Sequence, residues 1–161
     1  MTIYVGQRSG SGMSASFELI SISATTTDWT VTPFVIPSSS TCIVIDGSGK
    51  APVTKALEAW QATAAADTSR AIYSAFVDAV VGAIDTKSGG APQLGSLYRV
   101  GAGRLLGIVH NNQRFFAGSH LIGDEEVSGV EWRNALFERT DGKSKIRLIG
   151  AQSQPRPLGC Q

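Results

Sequence analysis

The first 35 residues have a strand-like pattern, with polar and apolar side chains alternating with a period of two at residues 14–23, which predicts β-strands. Residues 2–7 and 14–23 form two predicted strands, and Gly10 and Gly12 lie between them. Residues 25–35 are rich in threonine but contain Pro33, which has no N–H group for a central ladder. This third segment is predicted to be an edge strand or an irregular loop.

A change to helical periodicity follows a short apolar run. Residues 42–45 are continuously apolar and predict a strand that is buried on both faces. A Gly-rich turn at residues 46–49 then leads into a helix that begins near Pro52. The apolar stripe of this helix consists of Val53, Ala56, Leu57, Trp60 and Ala64.

A second helix is predicted to start with Asp67 or Thr68 as its N-cap and to end at residues 88–92, which contain two glycines and a proline. Its expected buried face consists of Ile72, Phe76, Val77, Val80 and Ile84. Two adjacent helices are therefore expected in the middle of the chain.

The pattern returns to strands at residues 94–100, 104–110 and 114–117, with turns at 101–103 and 111–112. Residues 130–140 and 143–149 flank Asp141–Gly142 and predict a further hairpin, although residues 132–137 also fit a helix. Residues 152–161 lack an apolar pattern and are predicted to form a mobile tail. We expect one α+β domain over residues 1–151, a layered sheet sandwich with two adjacent helices on one face.

Composition changes this picture little. With 161 residues, 42% hydrophobic and 17% charged, the chain is sufficient for one ordinary core. A net charge of +1 gives no reason to expect a nucleic acid or an acidic membrane as partner. The N-terminus has no pattern of an export signal, and no apolar run is long enough to cross a bilayer.

The cysteines and histidines do not predict a metal or cofactor site. Cys42 and Cys160 form neither a disulfide framework nor a metal-ligand spacing, which favours a reducing, cytoplasmic location. His110 and His120 have no cysteine or carboxylate at ligand spacing. Trp29, Trp60 and Trp132 are expected in the core, as large aromatics usually are.

The order of strands, helix pair and strands, with a threonine at position 2, resembles the proteasome-type subunits of the Ntn-hydrolase family. Residues 2–5 resemble the opening strand of that family, and residues 43–49 resemble its buried strand and Gly-rich turn before the first helix. Residues 95–100 are similar to a later strand. The resemblance implies an amide hydrolase or peptidase that assembles into a homo-oligomer.

In such an enzyme the N-terminal threonine is both nucleophile and base, so the resemblance implies that Met1 is removed and Thr2 attacks a peptide or amide substrate. The α-amino group of Thr2 would take the hydroxyl proton. The backbone N–H groups of Ser48 and Gly49 would stabilise the oxyanion. Glu18 falls where the family has a supporting carboxylate.

One departure favours a different function. The lysine that lowers the pKa of the nucleophile in the family corresponds to Phe34, and no lysine precedes Lys50. Arg8 is the one earlier basic side chain, and a guanidinium is too basic to accept a proton. The alternative is therefore a catalytically silent structural or binding protein of the same architecture that works as a homo-oligomer.

Overall fold

A computed structural model describes residues 1–82, 87, 89–123 and 127–156. These residues form two helices and two sheets, so the α+β class expected from the sequence is confirmed. The chain divides into two compact units. The sheet unit comprises Met1–Ser39 and Ser96–Arg104, and the helix unit comprises Ser40–Gly95 and Leu105–Gln161.

The sheet unit contains one antiparallel three-stranded sheet. Its strands are β1 (Thr2–Ser9), β2 (Ser16–Ala24) and β3 (Trp29–Phe34), in the order β1-β2-β3. The edge strand expected around Pro33 is therefore confirmed as β3. Thr25 shapes the β2–β3 turn, because its hydroxyl accepts a hydrogen bond from the Asp28 N–H at 3.0 Å.

The helix unit contains α1 (Lys50–Gln61) and α2 (Ser69–Val81). Both helices were expected, and the Thr68 hydroxyl caps α2 by accepting a hydrogen bond from the Ala71 N–H at 3.2 Å. The buried face of α2 was predicted only in part: Val77 is buried as expected, but Phe76 is exposed, and Ser74 and Asp78 are buried as well. Ile84, which was assigned to that face, lies outside the described residues.

The second sheet has six strands and begins after α2. Its main path runs in the order β7-β6-β5-β8-β9, and β4 pairs with β5. The strands are β4 (Leu94–Ser96), β5 (Arg104–His110), β6 (Gln113–Phe116), β7 (Ser119–Leu121), β8 (Trp132–Arg133) and β9 (Arg139–Thr140). The expected Asn111–Asn112 turn is confirmed, with φ values of 49° and 58° that suit asparagine.

Three other expectations differ from the structure. Residues 42–45 form no strand, and Ile43 and Val44 are exposed instead of buried on both faces. The first three strands and the later strands form separate sheets rather than a shared one.

The hairpin expected over residues 130–149 is present only around its predicted turn, where the Leu148 N–H donates to the Arg139 carbonyl oxygen at 2.9 Å. Before that turn the chain does not continue as one strand. Asn134 turns it by accepting hydrogen bonds from the N–H groups of Leu136 and Glu138, each at 3.0 Å.

The core of the helix unit lies around the two helices. Trp60 packs with Ala71 and Ala75 in one cluster, and Tyr73, Val77 and Ile108 form a second cluster between α2 and β5. Trp132 is also buried, as expected, whereas Trp29 in the sheet unit is 66% exposed and contradicts the expectation of a core position.

The chain after residue 151 is anchored in the helix unit. Gln154 is 3% exposed, and its backbone N–H donates to Glu138 Oε1 at 2.9 Å. Arg156 Nη1 donates to Asp78 Oδ1 at 2.7 Å. The segment that was expected to be a mobile tail is therefore packed over residues 154–156, while residues 157–161 lie outside the described residues.

Candidate functional site

Thr2 opens β1 in the sheet unit and is exposed. Its hydroxyl lies 3.1 Å from the Ser23 hydroxyl on β2. The α-amino group of the chain belongs to Met1 and donates to the Ala24 carbonyl oxygen at 3.0 Å. Because the nitrogen of Thr2 is in a peptide bond with Met1, Thr2 becomes an N-terminal nucleophile only after Met1 is removed.

Glu18 lies on β2 but at the other end of the strand pair. The register pairs Thr2 with Ser23, and Gln7 with Glu18. The Gln7 side-chain amide donates a hydrogen bond to the Glu18 carboxylate. Five residue steps at about 3.4 Å each separate the two pairs by roughly 17 Å. The structure therefore does not bring Glu18 to Thr2.

Ser48 and Gly49 lie in the turn that precedes α1, in the helix unit. Gly47 has a φ of 96°, which glycine adopts without strain. The Gly47 N–H donates to Asp46 Oδ1 at 2.7 Å, and the Lys50 N–H donates to the Gly47 carbonyl oxygen at 3.2 Å. These hydrogen bonds stabilise a tight entry into α1, which accounts for the glycines without a ligand.

Phe34, which stands where the resembled family has its lysine, and Arg8, the one basic side chain before Lys50, both make contacts away from Thr2. The Phe34 ring packs 6.1 Å from the Tyr4 ring, centroid to centroid. The Arg8 guanidinium donates to the carbonyl oxygens of Tyr98 and Gly101, each at 2.6 Å. Arg8 is paired with Phe17 in the sheet, six residues along β1 from Thr2, so its charge lies far from the Thr2 hydroxyl.

The sequence did not reveal a buried polar network in the helix unit. Asp78 on α2 accepts hydrogen bonds from Trp60 Nε1 at 2.8 Å and from Arg156 Nη1 at 2.7 Å. Glu138 accepts from Asn134 Nδ2 at 2.7 Å and from the Gln154 N–H at 2.9 Å. The visible signal was the pair Ser74 and Asp78, polar residues at i and i+4 in an apolar helix.

This network is structural rather than catalytic. Gln154 Nε2 donates to the Ser74 hydroxyl at 3.0 Å, and that hydroxyl lies 3.3 Å from the Ala135 carbonyl oxygen. Each carboxylate therefore has donors that are fixed by packing, as buried charges require. The network joins α2, the loop after β8 and residues 154–156.

Among the described residues of the same unit, three buried side chains have a polar atom without a hydrogen-bond partner. These atoms are the Tyr73 hydroxyl, Arg133 Nε and the Thr140 hydroxyl. Phe137 lies between Tyr73 and Arg133, with its ring centroid 5.3 Å from the Tyr73 ring and 5.1 Å from the Arg133 guanidinium carbon. Burial raises the pKa of Tyr73 well above its ordinary value, so the phenol stays neutral and does not act as a base.

The histidines and the described cysteine have ordinary structural environments. Phe115 stacks on the His120 ring at 5.1 Å and meets the His110 ring edge-on at 6.4 Å. Burial lowers the pKa of His110 and raises the pKa of the Cys42 thiol. Cys160 lies outside the described residues. Over the described residues, no group of three or more His, Cys, Asp or Glu side chains is arranged to hold a metal ion.

One face of the three-stranded sheet is covered by other residues of the sheet unit, and the opposite face is not. Gly6 packs against Leu97, since a Cβ on Gly6 would lie 3.7 Å from Leu97 Cδ1. On the same face Arg99 stacks over the Phe17 ring at 5.7 Å, and Arg8 is bonded as described above. Ser96–Arg104 thus covers this face.

The opposite face, which we name the apolar sheet face, carries apolar side chains from all three strands. Direct cross-strand partners share a face, and the register aligns Ile3 with Ile22 and Ile22 with Val31. Trp29 is 66% and Ile3 47% exposed, and Val5 and Val31 are also exposed. The members are Ile3, Val5, Ile20, Ile22, Trp29, Val31 and Pro33.

Comparisons with protein-family models, with curated proteins and with solved structures find no match. Within the described part of the chain, neither helix has the length and hydropathy of a transmembrane span. The contacts and exposures of the molecule itself are therefore the basis for a functional conclusion.

Proposed function

We propose that the chain is a non-catalytic structural or binding protein that works as a homo-oligomer. The apolar sheet face carries this proposal, because apolar side chains from three strands lie together on one surface, exposed on β1 and β3 and half-buried on β2. Contiguous exposed apolar patches on soluble proteins mark interaction sites. A protein with this surface gains stability when a partner covers it.

The charge distribution supports a second copy as that partner. Residues 1–39 contain three side chains that are charged at neutral pH, Arg8, Glu18 and Asp28. Glu18 lies beside Gln7 at one end of the apolar sheet face, and Arg8 lies on the other face. Two copies therefore meet without like charges at the centre of the contact. An anionic membrane or a nucleic acid would require lysines and arginines on this surface, which has none.

The size of the face sets the expected affinity. With strands about 4.8 Å apart and a rise of about 3.4 Å per residue, the sheet measures roughly 14 Å by 20–27 Å. This gives on the order of 300–400 Å² per copy, compared with about 800 Å² per partner in a standard interface. A contact made by this face alone is expected to be weak and to depend on protein concentration.

Sedimentation velocity over a range of protein concentrations tests self-association. We expect the wild-type chain to form oligomers as its concentration increases, and Val31→Glu to associate less than the wild type, because a charge would be buried where two apolar sheet faces meet. Thr30→Glu is the matched control, since Thr30 is exposed on the same strand but on the other face. A wild-type chain that stays monomeric at every concentration would refute the proposal.

A second candidate, the N-terminal-nucleophile hydrolase, rests on the exposure of Thr2 at the start of β1. Removal of Met1 would place a free amine on the residue that carries the hydroxyl, which is the arrangement such an enzyme needs. Glu18 acts at most at long range, because it lies at the other end of the strand pair from Thr2.

Intact-mass measurement of the untagged protein, before and after exposure to a β-lactone or epoxyketone probe, tests this candidate. An active hydrolase would lack Met1 and gain one probe mass on Thr2, and Thr2→Ala would gain none. Retention of Met1, or a free Thr2 that never reacts, would eliminate the hydrolase and leave the oligomer proposal intact.

A further inference from the structure

Strand β1 lies at an edge of the three-stranded sheet and exposes half of its backbone hydrogen-bonding groups. Met1 and Ala24 exchange two backbone hydrogen bonds, Ala24 N–H to Met1 O at 2.9 Å and Met1 N to Ala24 O at 3.0 Å. In an antiparallel pair, bonded positions alternate with positions whose groups point away. The odd-numbered residues of β1 therefore bond to β2, and the backbone groups of Thr2, Gly6 and Arg8 point outward.

The other edge of this sheet is less suited to pairing. The Thr25 N–H donates to the Asp28 carbonyl oxygen at 2.8 Å, which sets the alternation between β2 and β3. By that alternation the backbone groups of Trp29, Val31 and Pro33 point away from β2. Pro33 has no N–H group, so the outer edge of β3 lacks a donor near the C-terminal end of the strand.

β1 has none of the features that prevent edge pairing. It contains no proline and no lysine, and it is eight residues long. Its one charged side chain, Arg8, is held by the Tyr98 and Gly101 carbonyl oxygens on the covered face of the sheet. Residues 2–7 are exposed, so the edge is accessible. Such an edge is a template for another strand.

We propose that β1 pairs antiparallel with β1 of a second copy and joins the two sheets into one six-stranded sheet. This proposal rests on the proposed self-association and specifies its geometry. An identical strand satisfies the two-fold symmetry that most homodimers have, in which the same surface is used on both copies.

The outward-facing residues limit the register. Even-numbered residues of β1 must pair with even-numbered residues of the second copy, so the two-fold axis passes through a residue and not between two. An axis at Val5 places Val5 opposite Val5 and Thr2 opposite Arg8, so the ladder includes both ends of the strand. An axis at residue 4 leaves Arg8 outside the ladder, and an axis at Gly6 leaves Thr2 outside it. The first register is favoured because it gives the longest ladder and also places apolar side chains in direct contact on the apolar sheet face.

Edge pairing also doubles the area of the apolar sheet face, which is too small in a single copy for a standard interface. Six strands at about 4.8 Å spacing give a face roughly 29 Å wide, or on the order of 600–800 Å². This approaches the area per partner of a standard interface. Two joined sheets can then stack face to face with a sufficient contact, whereas two single sheets cannot.

Disulfide trapping tests the register, with Cys42→Ser and Cys160→Ser as background. Val5→Cys should form a covalent dimer on mild oxidation, because residues opposite each other at a non-bonded antiparallel position have Cα atoms about 4.5 Å apart, within disulfide range. Val31→Cys is the matched control on the same face at the other edge, and it should form no disulfide. Both positions are exposed, and thermal melting of the reduced variants verifies that they fold.

The outcomes separate this proposal from the proposed function. A Val5→Cys dimer with a monomeric Val31→Cys supports edge pairing. An oligomer in which Val5→Cys stays unlinked, or in which Val31→Cys links instead, overturns edge pairing and leaves self-association standing. A chain that sediments as a monomer at every concentration overturns both.

Discussion

The helix unit and the sheet unit place their polar and apolar groups in opposite ways. The helix unit buries Asp78 and Glu138 with their donors, and it also buries Trp60, Val77 and Ile108. In the sheet unit Ala15 and Ser21 are the buried residues, while Trp29 and Ile3 are exposed. Residues 96–104 cover one face of the three-stranded sheet, and the apolar sheet face is left uncovered by the residues of its own unit.

The largest expected effect is a difference in the free energy of unfolding between variants of Trp60 and Trp29. Trp60→Ala should lower the free energy of unfolding by about 3–5 kcal/mol, because Trp60 is fully buried and its removal leaves a cavity. Trp29→Ala should change it by less than about 0.5 kcal/mol in dilute protein, because Trp29 is already exposed. Urea denaturation measures both, and similar losses in the two variants would remove the contrast between the units.

The buried carboxylate on α2 provides the next test. Asp78→Ala should lower the free energy of unfolding by about 2–3 kcal/mol, because Trp60 Nε1 then stays buried without an acceptor and Arg156 loses its partner. Asp78→Asn should lose about half as much, since its amide oxygen can still accept from Trp60. Guanidinium denaturation of the two variants checks the order, and equal losses would contradict it.

Close packing around Trp132 gives a smaller effect. A Cβ on Gly107 would overlap the Trp132 indole, so Gly107→Ala should cost about 1–3 kcal/mol of unfolding free energy. Gly89→Ala is the control, because a Cβ there meets no atom within 4 Å. Thermal melting of both variants measures the difference. A Gly107→Ala protein as stable as the control would show that the sheet adjusts freely.

The smallest effect concerns pH. Burial lowers the pKa of His110 in the folded chain, so the unfolded chain, with an ordinary pKa of about 6.5, takes up its proton first as pH falls. The contribution of His110 to the free energy of unfolding is therefore fully present above the unfolded-state pKa. It declines as the pH falls from that pKa towards the lower pKa of the folded chain. Urea denaturation between pH 7.5 and 5 should therefore show a decline that His110→Gln reduces. An unchanged slope would contradict this assignment.

Local elements were largely predictable from the sequence. The stripe around Trp60, the Thr68 cap and the Asn111–Asn112 turn each depend on residues within a few positions, and each is present. Pro33 correctly indicated an edge, because the missing N–H is a property of the residue itself.

Features that depend on distant partners were not predictable. The apolar run at residues 42–45 looked like a buried strand, but no strand pairs with it and it stays in an irregular conformation. The buried face of α2 was misassigned because Asp78 obtains its partners from Trp60 and Arg156, which are remote in sequence. The sequence separation of Glu18 from Thr2 matched that of the resembled family. It could not reveal that Glu18 lies opposite Gln7, because strand register depends on pairing between distant segments.

Pro33 has a consequence for growth of the assembly. If the β1 edges join as proposed, the joined sheet has a β3 strand at each end, and both ends lack the N–H group of Pro33. A further sheet would then find no complete ladder to extend, so the proposed assembly would stop growing instead of elongating into a fibre. Pro33 would thus limit the size of the assembly.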